Sequence, residues 1–226
     1  MTRRTTMSKV LVIGDLHAPA THPDYFEFVR SIRRKHRTDQ TVFIGDVIDH
    51  HAISFHKAHP ESTDALTEYN KAFETVKKWY KAYPNAYVTI GNHDERVHRL
   101  AADAGVPSVY LKEYNELYKT KNWEWVNNVE IDDVYYYHGT GSSSAYPAFN
   151  AAKLRNQSVV MGHYHTKAAI NWMCGPKSHR IFGLSVGCGI DAKHLAMKYG
   201  ENFLVKPMLS CAVVHDGYPI LEVMRN

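Results

Sequence analysis

Residues 9–17 read KVLVIGDLH, an apolar run that stops at a glycine and opens into an aspartate and a histidine. The same design returns at residues 41–49, TVFIGDVID, and at residues 87–94, YVTIGNHD. A short apolar run without polar alternation reads as a strand buried on both faces. The glycine permits a tight turn, and the polar residues behind it are delivered to one edge of a sheet. Between these strands lie helical spacings. Asp24 to about Lys35 places Phe26, Val29, Ile32 and Arg33 on one face. Leu66, Tyr69, Phe73, Val76, Tyr80 and Tyr83 follow at intervals of 3, 4, 3, 4 and 3, a packing stripe that stops at Pro84. Ser62 or Thr63 is the expected cap of that helix. Strand–helix–strand–helix–strand predicts a parallel or mixed sheet whose chemistry sits at the carboxyl ends of its strands.

The second half is richer in strands. Trp123–Val126, Val134–Tyr137, Ser158–Met161, Ala168–Met173, Ile181–Val186, Ser210–Val214 and Ile220–Val223 are separated by Gly, Pro and Asn/Asp signals, and Tyr146–Leu154 reads as a helix. There is no internal repeat, low-complexity block or interdomain linker. The expected organisation is a loose polar tail at residues 1–8 and one domain over 9–226.

At 226 residues, with 44% hydrophobic and 22% charged, the chain fits an ordinary globular protein and excludes disorder, collagen and fibre classes. No run approaches a membrane span, and no apolar segment precedes Lys9 to act as a secretory signal. Cys174, Cys188 and Cys211 form no C-x-x-C pair, which favours reduced thiols and a cytoplasmic location. A net charge of +4 is compatible with phosphate-bearing partners. Histidine stands out at 15 residues, an excess that asks for a metal site, an acid–base site, or both.

Five polar clusters follow strand-like runs: Gly14-Asp15-Leu16-His17, Gly45-Asp46-Val47-Ile48-Asp49, Gly91-Asn92-His93-Asp94, His138-Gly139 and Gly162-His163-Tyr164-His165. Asp15 and His17, like His163 and His165, stand at i and i+2, which in extended backbone turns both side chains to one face. Carboxylates, an amide oxygen and imidazoles are mixed N/O ligands suited to Mn, Fe, Zn or Co. The absence of thiolates argues against a structural zinc site.

The order D-x-H, G-D-x-x-D, G-N-H-D, H-G, G-H-x-H resembles the signature of the calcineurin-like metallophosphoesterases, over roughly residues 9–190. The texture around GDLHAP and GNHDERVHR looks most like small phosphoesterases of bacteriophages and their hosts, which would place the protein in the host cytoplasm. The resemblance implies an α/β fold, a four-layer αββα sandwich of two mixed β-sheets flanked by helices, with a dinuclear metal site at the strand C-terminal ends. Carried over by motif, Asp15, His17, Asp46 and His165 would hold one divalent ion, with Mn2+ the first expectation in vitro. Asp46, Asn92, His138 and His163 would hold the second, so that Asp46 bridges. Two such ions clamp a phosphate and activate a bridging water as hydroxide for in-line attack. His93 would then protonate the leaving oxygen, and Asp49 would orient His93 and hold it protonated.

The sequence departs from the serine/threonine protein phosphatases, where Arg-Gly follows the second motif and the third reads G-N-H-E. Here His50-His51 and G-N-H-D stand instead, which disfavours a phosphoprotein substrate. His50 and Arg96 are the candidate substrate-binding residues. The cluster Arg30, Arg33, Arg34, Lys35 and Arg37 reads first as a solvated helix end complementing the dipole, and more sharply as a phosphate-tracking groove. The expected function is hydrolysis of phosphate mono- or diesters, of a nucleotide or another small ester. Two alternatives are carried. A nuclease of the same superfamily is disfavoured because about 60 residues follow G-H-x-H, too few for a DNA-contacting cap. A catalytically inactive scaffold for a protein partner is disfavoured because His93 and every ligand position are intact.

Overall fold

The computed structural model describes residues 8–55, 61–142, 144–195 and 204–225. Residues 1–7 of the expected tail lie outside the described residues. Ser8 is already tied down, its N–H donating to Asp132 at 2.6 Å.

The three opening strands form as the apolar runs predict. β1 (Lys9–Ile13), β2 (Gln40–Phe43), β3 (Ala86–Thr89) and β4 (Trp123–Val126) run parallel in one sheet. β10 (Ser210–His215) pairs antiparallel with β1, and β11 (Tyr218–Val223) closes that edge, giving the order β11-β10-β1-β2-β3-β4. The second sheet is built from β5 (Asn128–Ile131), β6 (Val134–Tyr137), β7 (Ser158–Met161), β8 (Ala168–Cys174) and β9 (Arg180–Val186), in the order β5-β6-β7-β9-β8. Its central strands are parallel and its edge strands antiparallel. Both sheets are therefore mixed.

Strand alternation sorts β1 between two cores. Leu11 and Ile13 face α1 (Tyr25–His36) and α2 (Ala65–Ala82), in a core with Val29, Phe43, Val76 and Trp79. Val10 and Val12 face the other sheet and meet Tyr136, Val160, Leu184 and Val214. α5 (Pro147–Arg155) covers the far side of the second sheet through Ala152, Val159 and Ile181. A Cβ at Gly183 would run into the backbone of Ala148, so the absent side chain lets α5 lie close on β9. Helix, sheet, sheet, helix is the four-layer α/β sandwich. Among the described residues no helix is long and apolar enough to cross a membrane.

Several local expectations change. The cap of α2 is Asp64, whose carboxylate accepts from the N–H groups of Leu66 and Thr67, not Ser62 or Thr63. The fully buried face of α2 is Glu68, Ala72, Val76 and Trp79; of the expected stripe Val76 and Tyr83 are buried and Tyr69, Phe73 and Tyr80 pack half-buried against the same core. Leu66 is 68% exposed, while Glu68 of the same turn is buried and accepts from the N–H groups of His51 and Ala52. Trp79 fills the centre instead, edge-on to Phe26 at 4.9 Å and Phe43 at 5.8 Å. On α1, Arg33 lies outside the core and Tyr25 takes its place. β5 has no apolar run to announce it; it forms because Asp132 and Asp133 both adopt positive φ, 51° and 65°, and turn the chain into a hairpin.

Candidate metal centre

Every sheet strand that carries a motif ends at the same edge. β1 delivers Asp15 and His17, β2 delivers Asp46 and Asp49, and β3 delivers Asn92, His93 and Asp94. From the second sheet, β6 delivers His138 and β7 delivers His163 and His165. Glycines make the room. A Cβ at Gly91 would collide with Asp46 Oδ1 and the Asp46 backbone nitrogen, and one at Gly162 with Asp15 Oδ1. Gly45, at φ +100°, brings the backbone against the His138 ring.

Three overlapping groups result. Ligand atoms of Asp15, His17, Asp46 and His165 lie within 4.8 Å of one another, as do those of Asp46, His138 and His163, and those of His17, Asp49 and His93. Asp46 Oδ2 stands 3.5 Å from His17 Nε2 and 3.2 Å from His138 Nε2, facing two groups at once. Asn92 Oδ1 lies 3.1 Å from His138 Nε2, which brings the amide to the second group.

Outer hydrogen bonds set the imidazoles. His17 Nδ1 lies 2.7 Å from Asp49 Oδ1, and His138 Nδ1 lies 2.9 Å from the Ile44 carbonyl. With Nδ1 donating there, each Nε2 lone pair faces the cluster, the orienting arrangement that metal-bound histidines use. His17 Nε2 and His165 Nε2 then approach to 3.0 Å, and His138 Nε2 and His163 Nδ1 to 3.3 Å. Converging lone pairs at such distances need a cation or a proton between them. Asp15 Oδ1 is buried with no hydrogen-bond partner, a carboxylate oxygen held ready in the same group. The donor set and this orphaned oxygen both fit divalent cations.

The electrostatics agree. Burial opposes charge on His17, yet its bonds to Asp46 and Asp49 raise its pKa to about 10. Burial likewise opposes His138, and Asp46 raises it to about 9. Burial also opposes ionisation of Asp46, but the charges of His138 and His93 hold its carboxyl well below the usual range. The field at this edge therefore favours positive charge.

The backbone reaches this convergence by a different route from the one expected. His17 and His163 are not extended; they sit at φ 47° and 67°, with Asp46 at 46° and His50 at 50°. Left-handed turns, not strand alternation, bring His17 to Asp15 and aim His163 at Asp46 and His138. Non-glycine residues rarely occupy this region, and such strain clusters where a site requires it.

His93 lies beside the cluster. Its Nδ1 is 3.0 Å from Asp49 Oδ1 and 2.8 Å from the Asp49 carbonyl, while its backbone N–H donates to Asp46 Oδ1 at 2.8 Å. Asp49 thus touches His17 and His93 through one oxygen. His50 and Arg96, the candidate substrate-binding residues, are held within this loop. The His50 ring is held at both nitrogens, by the His93 carbonyl at 2.8 Å and the Tyr118 hydroxyl at 3.0 Å. Arg96 is buried, and its Nη1 donates to the carbonyls of Asp49 and His50 at 3.0 and 2.7 Å. Both side chains are spent on the protein itself.

Asp94 is a residue the sequence reading passed over. It is buried, and its two oxygens accept from Ile48 N–H at 3.1 Å and Gly91 N–H at 2.9 Å, stapling the second motif to the third. Burial and the charge of Asp46 push its pKa up to about 7. Its place as the last residue of G-N-H-D was the available signal.

The family model for calcineurin-like phosphoesterases matches residues 8–191, and the chain belongs to that family. The family comprises metal-dependent phosphoesterases, and the His/Asp clusters of this chain are compatible with such a metal site. Among solved structures, the chain is similar to Vacuolar Protein Sorting 29 from Cryptosporidium parvum, at 15% identity and TM-score 0.47, covering 96% of each chain. It is similar to YfcE, a phosphoesterase from E. coli, at 18% identity and TM-score 0.43, covering 92% of this chain and 88% of that one. It is also similar to the Pseudomonas putida nuclease MPE, at 9% identity and TM-score 0.44, covering 93% and 86%. A search of the curated proteins finds no match.

Proposed function

We propose that the protein hydrolyses phosphate mono- or diesters of nucleotides or other small molecules, with two divalent cations as cofactors. The observation that carries this reading is the placement of Asp46 Oδ2 between His17 and His138, with His93 alongside. Asp15, His17, Asp46 and His165 would hold one cation; Asp46, Asn92, His138 and His163 would hold the other. Bound there, the cations supply Lewis-acid charge to the phosphoryl oxygens and to a nucleophilic water.

The chain's own residues supply the rest. His93 is the proton donor to the leaving oxygen, acting through Nε2 because Nδ1 faces Asp49. Asp49 is a positioning residue: it fixes the His93 ring and steadies its positive charge. Through the same oxygen it aims His17, so ligand geometry and proton delivery share one carboxylate. Arg96 and His50 hold the loop that carries Asp49. A cytoplasmic place of action accords with three free cysteines, two of them buried.

The test is a substrate panel on metal-stripped protein with Mn2+ restored. It compares p-nitrophenyl phosphate, bis-p-nitrophenyl phosphate, cyclic nucleotides and DNA. Mn2+-dependent turnover of a small ester, abolished by chelator, is the expected result. Metal binding without turnover of any ester contradicts the catalytic reading, and turnover of DNA alone makes the protein a nuclease.

A further inference from the structure

The basic cluster at the end of α1 takes no part in the metal centre. α1 and α2 run back against the strands, so their carboxyl ends lie where β1 and β2 begin. The Asp39 N–H bonds to the Lys9 carbonyl at 3.0 Å, fixing the end of α1 at that edge. The metal motifs leave the opposite edge, six residues along the chain from Lys9 to Asp15, or roughly 20 Å. Between the two helix ends lies an open groove of about 740 Å3. Arg30, Arg33, Arg34, Arg37, Lys78 and Lys81 line it, and no carboxylate does.

Helix dipoles account for one or two cations at each carboxyl end, not for six around one groove. Other basic residues of the region are compensated: Lys35 and His36 both bond Glu222 at 2.6 Å. Among the described residues, Arg30 alone of the six has an ion-pair partner, Glu27. Several of the charges are also held in place. Arg30 and Lys78 sit over the Phe26 ring at 5.7 and 4.1 Å, and Arg33 sits over Tyr83 at 4.9 Å while donating to the Ala82 carbonyl. Aromatic rings fix a cation without neutralising it. Thr38 lines the same groove, and its buried Oγ1 has no hydrogen-bond partner. Six cations around one groove, five of them without an ion-pair partner among the described residues, make a site for an anion.

The dimensions select among anions. At about 30 Å3 for each water, the groove is far larger than a single phosphate requires. Arg30 to Arg37 spans about 10 Å, along α1 at 1.5 Å per residue and one residue past its end. Lys78 and Lys81 face that row from α2. Phosphates along one nucleic-acid strand recur every 3.4 Å or more, so two rows of this length flank two to about three of them.

We propose that this groove binds the sugar–phosphate backbone of a single-stranded nucleic acid, at a site separate from the metal centre. The site needs no metal, so its test runs in chelator, where the proposed phosphoesterase activity is silent. Fluorescence anisotropy of a labelled oligothymidylate of about twelve nucleotides reads binding across a salt series. The comparison is with the triple variant Arg34→Ala/Arg37→Ala/Lys81→Ala, three exposed side chains whose removal leaves the core intact. Two to about three phosphate contacts predict a slope of log K against log salt no steeper than about −2. The triple variant is expected to bind at least tenfold more weakly, with the slope falling toward zero. Its thermal transition and its Mn2+-dependent turnover of p-nitrophenyl phosphate are expected to match the parent. Equal binding by parent and variant overturns the proposal, as does no binding by the parent at about 50 mM salt. Displacement of the oligonucleotide by tripolyphosphate at equal phosphate concentration overturns it too, because the groove would then be a site for compact polyphosphates.

Discussion

Asp49→Asn separates this structure from a simpler account in which Asp49 serves the proton donor alone. The carboxylate oxygen Oδ1 stands 2.7 Å from His17 Nδ1 and 3.0 Å from His93 Nδ1. Asparagine keeps the shape and one accepting oxygen but removes the charge. A hydrogen bond to a charged group contributes about 1.5–3 kcal/mol, and a neutral one about 0.5–1.5 kcal/mol. Each of the two bonds therefore weakens by about 1–1.5 kcal/mol. On the His17 side, losing an outer partner of a metal ligand lowers affinity roughly 10–100-fold. On the His93 side, a mispositioned proton donor forfeits part of the 10²–10⁴-fold that such a group supplies. Calorimetric titration of Mn2+ into stripped protein reads the first effect. kcat at saturating metal, on an alkyl phosphate ester and on a p-nitrophenyl ester, reads the second. The expected outcome is one metal site weakened and a turnover loss concentrated on the alkyl ester. Parental affinity at both sites, or full turnover of the alkyl ester once metal is saturating, would refute the shared role.

Three further outcomes are expected. His93→Ala keeps both metals by elemental analysis but loses about 10²–10⁴-fold in kcat for alkyl leaving groups and little for p-nitrophenolate, which needs no proton. Asp46→Asn weakens both cations together in a Mn2+ titration, whereas Asp15→Asn weakens mainly one, because only Asp46 faces both groups. Gly91→Ala drives a methyl group against Asp46 Oδ1 and the Asp46 backbone nitrogen, so it displaces the shared carboxylate and lowers affinity at both sites by about tenfold or more in a Mn2+ titration, with the secondary structure retained by circular dichroism.

β1, β2, β3 and β7 were legible because each is a short apolar run that leads into a glycine, and the same glycines marked where the ligands would emerge. The residues that gather at the strand ends could be named from the order of the motifs. How they gather could not be read from spacing: an i, i+2 pair says nothing about the left-handed turns at His17 and His163. Asp132-Asp133 carries no glycine, so the hairpin that creates β5 stayed hidden. The short α4 (Tyr114–Tyr118) has too few residues to show a period, yet its Tyr118 bonds His50 and helps decide what that histidine does. The motif order places His50 and Arg96 near the site without saying where their nitrogens go. Carbonyls exposed by the strained loop at Asp49 and His50 engage Arg96 first. Asp94 was overlooked for the opposite reason: it carries no metal-facing spacing, only backbone N–H groups to satisfy.

The central claim is that Asp46 stands between two cations. Anomalous scattering from crystals of the protein grown with Mn2+ tests it directly. The account predicts two peaks about 3.5–4 Å apart. Asp15, His17 and His165 should surround one, Asn92, His138 and His163 the other, with a carboxylate oxygen of Asp46 touching both. A single peak, or two peaks that Asp46 does not join, would contradict it.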